Sequence, residues 1–267
     1  MSRFADIYTT LFKISVAIML QYRAVLVIWL IGLVLQPIIY LVVWLTVAEA
    51  RGGQVGDFDK AGLAAYYIVL MIVNHATFDW HMYEMGYRVR TGAFSPLLLQ
   101  PLHPIHRDII ENVAYKFITL SVMLPAILLL TWLFEPSFGA PIWAVAAFVP
   151  ALLMAFLVRF FVEWSLALSA FWITDTSGLN QMYVIAALFL TGQMAPLSLM
   201  PQWVQSVAGV LPFRWMVAFP VELLLGRLSP EQVFDGFLMQ ALWLGAGLAV
   251  LALTWSRAAR RYSAVGA

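Results

Sequence analysis

Long apolar runs alternate with short polar breaks along this chain, and the lengths of the runs predict its elements. Ala24 to Val47 is nearly free of ionisable groups and exceeds the about 20 helical residues that cross a bilayer, with Pro37 as a kink. Further runs cover Ala61 to Met82, Phe117 to Phe134 with Pro125 inside it, and Leu179 to Met194. Between the last two, Pro141 to Ile173 stays apolar for 33 residues. That is about 50 Å of continuous helix, so it must tilt, kink at Pro150 or project beyond the membrane. A final run, Val233 to Trp255, ends at Arg257, Arg260 and Arg261. Residues 3–22 differ: Phe4, Ile7, Tyr8, Leu11, Ile18 and Met19 recur at helical spacing against Arg3, Asp6, Thr9, Thr10 and Lys13. This pattern predicts an amphipathic helix lying along the membrane.

Two stretches break the rhythm. Met85 to Arg107 carries Arg88, Arg90 and Arg107 together with Pro96, Pro101 and Pro104, while Ala93 to Leu102 between them is apolar but too short to cross. The reading is a cytosolic elbow whose short apolar helix docks a partner. Farther on, Gly192, Pro196, Pro201, Pro212 and Pro220 cut the chain into Trp203–Leu211 and Phe213–Leu225, the latter with Arg214 and Glu222. Each piece is too short to span, which predicts a hairpin entering and leaving from the outer side, with Arg214 facing Glu222. Glu49 to Lys60 and Glu135 to Gly139 read as outer loops.

Composition turns these runs into a class. With 63% hydrophobic and 11% charged residues and a mean hydropathy of +0.87, the chain is an integral membrane protein. Its runs lack the alternation of barrel strands, so the expected fold is all-α: a polytopic membrane helical bundle of six transmembrane helices. The absence of cysteine excludes disulfides and thiolate metal sites, and a net charge of +1 gives no reason to expect nucleic acid. Membrane lipid is the surrounding partner. No short apolar core precedes a small-residue cleavage site, so the first span is expected to direct insertion. With both termini in the cytosol, ten cations (Arg3, Lys13, Arg23, Arg88, Arg90, Arg107, Lys116, Arg257, Arg260 and Arg261) lie inside against four (Arg51, Lys60, Arg214 and Arg227) outside, which favours that orientation.

Candidate chemistry is thin. Asn74, His75, Asp79, His81 and Glu84 are costly in lipid and must face other helices, a wet cavity or the interface. His75 and Asp79, four apart, share a helical face. They read either as a metal or proton site or, more in keeping with such bundles, as interhelical hydrogen bonding. His103 and His106 are a second pair, but the prolines around them argue against a metal-binding helix. Arg159 and Glu163 are also four apart and can pair, either as a snorkelling anchor near the inner boundary or as a gate. A Gly-rich phosphate cradle, a zinc-protease pair and a nucleophile elbow are all missing. The chain therefore reads as no enzyme, with neither cofactor nor metal, and as a subunit driven by a separate motor.

The order of these pieces resembles the permease subunit of the type 2 class of ABC exporters. The resemblance rests on residues 3–22, on Gly92-Ala-Phe-Ser-Pro-Leu-Leu-Leu-Gln-Pro101, on Gly192-Gln-Met-Ala-Pro-Leu-Ser-Leu-Met-Pro201 followed by Leu211-Pro212-Phe213, and on Arg261-Tyr262-Ser263 near a terminal glycine. It implies a single permease domain over residues 1–267: an interfacial helix (1–23), five spans (24–195), an outer re-entrant hairpin (196–232), and a sixth span with cytosolic tail (233–267). It also implies a bacterial inner-membrane location, a cytosolic ATP-binding partner that hydrolyses ATP, and a second permease subunit, the same or different. Gly92, Phe94, Pro96, Leu97, Leu98, Pro101 and Pro104 would couple to the ATPase. Asp79, Arg159, Glu163, Gly192, Pro196 and Pro201 would serve pathway or gating. Trp80, Trp164 and Trp172 form no ladder, so a lipophilic or drug-like substrate is expected rather than a sugar polymer. The competing function is a self-contained secondary transporter or channel with His75, Asp79, His81 and Glu84 as a proton or cation relay.

Overall fold

The computed structural model describes residues 2–262; Ser263, the terminal glycine and the rest of the tail lie outside the described residues, as does the Arg3 side chain. The chain is an all-α helical bundle whose only strands, among the described residues, are a two-residue pair, β1 (Gln54–Val55) and β2 (Phe58–Asp59). The long helices are α1 (Ser2–Gln21), α2 (Arg23–Ala50), α3 (Lys60–Thr77), α4 (His81–Arg90), α6 (Pro104–Phe134), α7 (Ile142–Ala167), α8 (Ser177–Leu190) and α12 (Pro230–Arg261). Shorter ones are α5 (Ser95–Leu98), α9 (Gln202–Val210), α10 (Pro212–Met216) and α11 (Ala218–Leu224).

Two central helices, α3 and α7, organise the rest. Leu63 to Met71 of α3 is buried on every side, and α7 packs against α3, α4, α10, α11 and α12. Among the described residues, six stretches are long and apolar enough to cross a membrane: Phe4–Gln21, Arg23–Ala50, Lys60–Arg90, Pro104–Phe134, Ile142–Phe171 and Pro230–Arg261. This set differs from the six spans the sequence predicts. It includes α1 and omits α8, whose 14 residues reach only about 21 Å. α1 runs beside the start of α6, where the Tyr8 hydroxyl and His106 Nδ1 lie 2.7 Å apart and Phe12 meets the Phe117 ring edge-on. It thus flanks the first turns of α6 and reaches the start of its apolar run at Phe117. Two further boundaries move. α6 begins at Pro104, inside the predicted elbow, because His103 Nδ1 accepts from the Ile105 amide and proline suits the first helical position. α12 begins at Pro230 because Ser229 and Gln232 form a reciprocal capping box.

The segment between α8 and α12 goes in and comes back. Gly192 turns the chain with φ +82°, and a Cβ there would come 2.6 Å from the Tyr66 hydroxyl, which donates to the Gly192 carbonyl at 2.8 Å. Tyr67 and Trp44 both donate to the Met194 carbonyl at 2.9 Å, which fixes the turn against α3 and α2. α9 then descends until Val210, whose carbonyl accepts from Trp243, about 20 Å along α12 from Pro230 at 1.5 Å per residue. α10 and α11 return, with Phe219 against Gly236 and Gly226 against Ala140 in the α6–α7 turn. Arg214 and Glu222 meet at 2.9 Å as expected, with the chain bent between them at Val217. Both ends of this hairpin therefore lie with the β1–β2 loop and the α6–α7 turn, opposite the elbow.

Candidate functional site

The predicted second span is broken. α3 stops at Thr77, Phe78 to Trp80 is irregular, and α4 starts afresh at His81, although the sequence places no proline or glycine there. Irregular backbone inside a bundle has to be satisfied by protein groups. Here α6 supplies them: Lys116 Nζ donates to the Phe78 carbonyl at 2.8 Å and Asn112 Nδ2 reaches the same oxygen at 3.3 Å. Asn112 Nδ2 also donates to Asp79 Oδ1 at 2.8 Å, and its own carbonyl accepts from Lys116. The Thr77 hydroxyl closes the last turn of α3 onto the Val73 carbonyl.

A polar layer grows around this break. Asp79 Oδ1 lies 2.5 Å from His81 Nδ1, with both side chains fully buried. On the other side of the imidazole sits Asp108, whose Oδ1 accepts from Arg88 at 2.8 Å and whose Oδ2 accepts from the Trp164 indole at 2.9 Å. Arg88 also reaches Glu84 at 3.1 Å and Glu111 at 3.9 Å. Separately, Arg159 Nε donates to Glu163 at 2.8 Å, and its Nη1 donates to Asn74 at 2.9 Å and Thr77 at 3.1 Å; the Tyr183 hydroxyl from α8 donates to the same Glu163 oxygen at 2.9 Å. Arg159 thus turns into the bundle, and the snorkelling reading of the pair does not hold.

The predicted relay is not one chain of contacts. His75 bonds to Thr119 at 3.0 Å; because that hydroxyl already donates to the Tyr115 carbonyl, the imidazole is the donor. Asp79 bonds instead to His81 and Asn112, so the break separates the face-sharing pair. Glu84 lies a turn beyond on Arg88. His103 and His106 stand edge to face, each occupied elsewhere, His103 by the Ile105 amide and His106 by Tyr8. Burial beside Trp164 and Trp255, and then His106, holds the His103 imidazole below its usual range.

The elbow itself folds inward and outward by turns. Gly92 reverses the chain with φ +74°, after which Phe94 is fully buried against the rings of Phe171, Trp255 and Tyr262. Leu97 and Pro104 are buried as well, and Ser95 shares a 2.6 Å hydrogen bond with Tyr262. Leu98 and Gly92 are half-buried, whereas Pro96 and Pro101 are exposed. The predicted apolar helix is a single turn, α5, and just after it comes an exposed apolar side chain that the sequence reading passed over: Leu99, 87% exposed, with Tyr87 60% exposed nearby in the chain. Pro196 is buried beneath the far turn and Pro201 is exposed at the start of α9.

The elbow and the returning hairpin are where the resemblance to a permease places a coupling helix and a re-entrant pair. A family model described as ABC-2 family transporter protein matches residues 33–266, nearly the whole chain apart from α1 and the start of α2. The chain belongs to the ABC-2 transporter family. It is a multi-pass membrane protein and a permease subunit of an ABC transporter, the transport part rather than the ATPase. No curated protein and no solved structure matches it.

Proposed function

We propose that this permease exports a lipophilic compound from a bacterial cytosol when a separate ATPase acts on the elbow. The observation that carries the reading is the two-sided elbow: Leu99, Pro96 and Pro101 lie outside, while Phe94 and Leu97 tie the same segment into α12 and the turn after α7. A push on the exposed side reaches the bundle through buried aromatic contacts. Exposed aromatic residues support the matching membrane placement, with Trp132, Trp143 and Trp203 towards the far end and Tyr22, Trp172 and Tyr87 towards the elbow, as interfacial belts require. The elbow end carries Arg90, Arg107, Arg257, Arg260 and Arg261, in keeping with cytosolic termini and with α1 at the inner surface. The α9–α11 hairpin then dips from the outside.

An apolar groove of about 340 Å³ runs between α7, α8, α12 and the hairpin tip, with Leu166, Tyr183, Pro212 and Trp243 among its walls. Its size and lining suit a lipophilic molecule entering sideways. A second permease subunit, the same or different, completes the transporter in this reading. The test is reconstitution: sealed vesicles holding the permease with its ATPase should accumulate a lipophilic dye only with ATP on the elbow side. Transport by the permease alone on a proton gradient would overturn the proposal in favour of the relay.

A further inference from the structure

The polar layer contains an arrangement that hydrogen bonding alone does not complete. A carboxylate can only accept, so the proton on the 2.5 Å contact between His81 and Asp79 is carried by Nδ1. In the neutral ring this leaves a lone pair on Nε2. That nitrogen is fully buried, has no hydrogen-bond partner and faces Asp108 Oδ1 at 3.6 Å. This nitrogen and Asp108 Oδ1 thus face each other without a hydrogen bond between them. The separation exceeds a hydrogen bond. It is close to the about 3.4 Å between neighbouring ligands of a tetrahedral ion with bond lengths of about 2.1 Å.

Glu111 completes the set. It stands one helical turn after Asp108 on the same face of α6, and a ligand atom from each of His81, Asp108 and Glu111 fits within 4.8 Å of the others. We propose that His81, Asp108 and Glu111 bind a divalent transition-metal cation of the zinc class, with one position left for water. The Asp79 carboxylate behind His81 is the outer partner that orients a metal-binding imidazole and raises its basicity. Glu84 and Glu111, 38% and 28% exposed, give the ion a way in from the elbow end. Arg88 is the internal competitor, since its Nη1 shares Asp108 Oδ1 with the incoming ion. The ion would join α4 to α6, the two helices that enter and leave the elbow, so the site fastens the elbow's two legs.

The experiment is titration of tag-free protein in lipid nanodiscs with Co²⁺, followed by visible absorption and by displacement with Zn²⁺. One Co²⁺ per chain with a tetrahedral spectrum is expected. Glu111→Gln, at the open rim where folding tolerates it, should weaken binding at least tenfold, and Asp79→Asn by about 10- to 100-fold. Arg88→Gln should tighten it. Replacing His103 and His106 together by Asn should leave the spectrum unchanged. The proposal is overturned by the absence of a tetrahedral spectrum in folded protein, by binding that Glu111→Gln leaves intact, or by weaker binding in Arg88→Gln.

Discussion

If the elbow docks the ATPase as proposed, it separates docking from folding within a few residues, and two substitutions should therefore fail in different ways. Leu99 is 87% exposed, so Leu99→Asp removes almost no contact inside the chain and should change stability by no more than about 0.5 kcal/mol. If Leu99 is the knob that enters the ATPase, burying it contributes about 1.5–3 kcal/mol, or about 10- to 150-fold in affinity, before the cost of desolvating the new carboxylate. Phe94 is the opposite case. It is fully buried among Phe171, Trp255 and Tyr262, and Phe94→Ala should cost about 3–5 kcal/mol of stability through lost burial and a cavity. Binding of the nanodisc-held permease to its purified ATPase, measured beside thermal unfolding followed by tryptophan fluorescence, reads both quantities. Leu99→Asp should unfold like the parent and bind at least tenfold more weakly; Phe94→Ala should unfold at lower temperature. Parent-like binding by Leu99→Asp, or lost binding by a Phe94→Ala protein of undiminished stability, would refute the division.

Two further outcomes follow from the same geometry. Single cysteines at Gln202 and Arg227, in a chain with none of its own, should both be labelled by an impermeant thiol reagent on the side opposite the elbow; labelling of one of them only after permeabilisation would make α9–α11 a true crossing. His103 caps α6 as a neutral acceptor, and its lowered value, set by burial and then His106 and partly offset by Asp108, means the unfolded chain takes up this proton more readily. Stability from this group is therefore present above about pH 6.5 and lost as pH falls below it. Exchange of the Ile105 amide should quicken in acid relative to the intrinsic rate, and His103→Asn, a cap that does not titrate, should remove the effect; an equal acid loss in that variant contradicts the assignment.

Run length made the bundle legible, because a bilayer-crossing helix has to be long, apolar and internally hydrogen-bonded. The hairpin was expected for the converse reason: Pro212 separates two apolar pieces, each too short to cross. The elbow's place could be read from its prolines and arginines, but which way its residues face could not. Phe94 and Leu97 look like docking residues in a sequence. Only the arrival of Trp255 and Tyr262 from α12, far along the chain, turns them inward and leaves Leu99 outside.

The break in the second span was hidden for a related reason. Its irregular turn is held by tertiary bonds rather than by proline or glycine, so local chemistry carries no mark of it beyond Thr77 and Asp79. Its partners, Asp108, Asn112 and Lys116, fall before the apolar run of the third span and read alone as a polar leader. Placed at helical spacing they form one face of α6, and that face is what the broken helix rests on. The consequence is mechanical. α4 is tied to α6 through Arg88 and Asp108, to α8 through the Asn180 side chain on the Met82 carbonyl, and to the α7–α8 loop through Arg90 on the Thr174 carbonyl. α3 is tied to the far turn through Tyr66 and Tyr67, and its last turn is tied to α6 through His75 on Thr119 and to α7 through Asn74 and Thr77 on Arg159. If the ATPase acts at Leu99 as proposed, the force would reach α4 and the elbow ends of α6 and α8 first, while Tyr66 and Tyr67 hold the other end of α3 to the far turn.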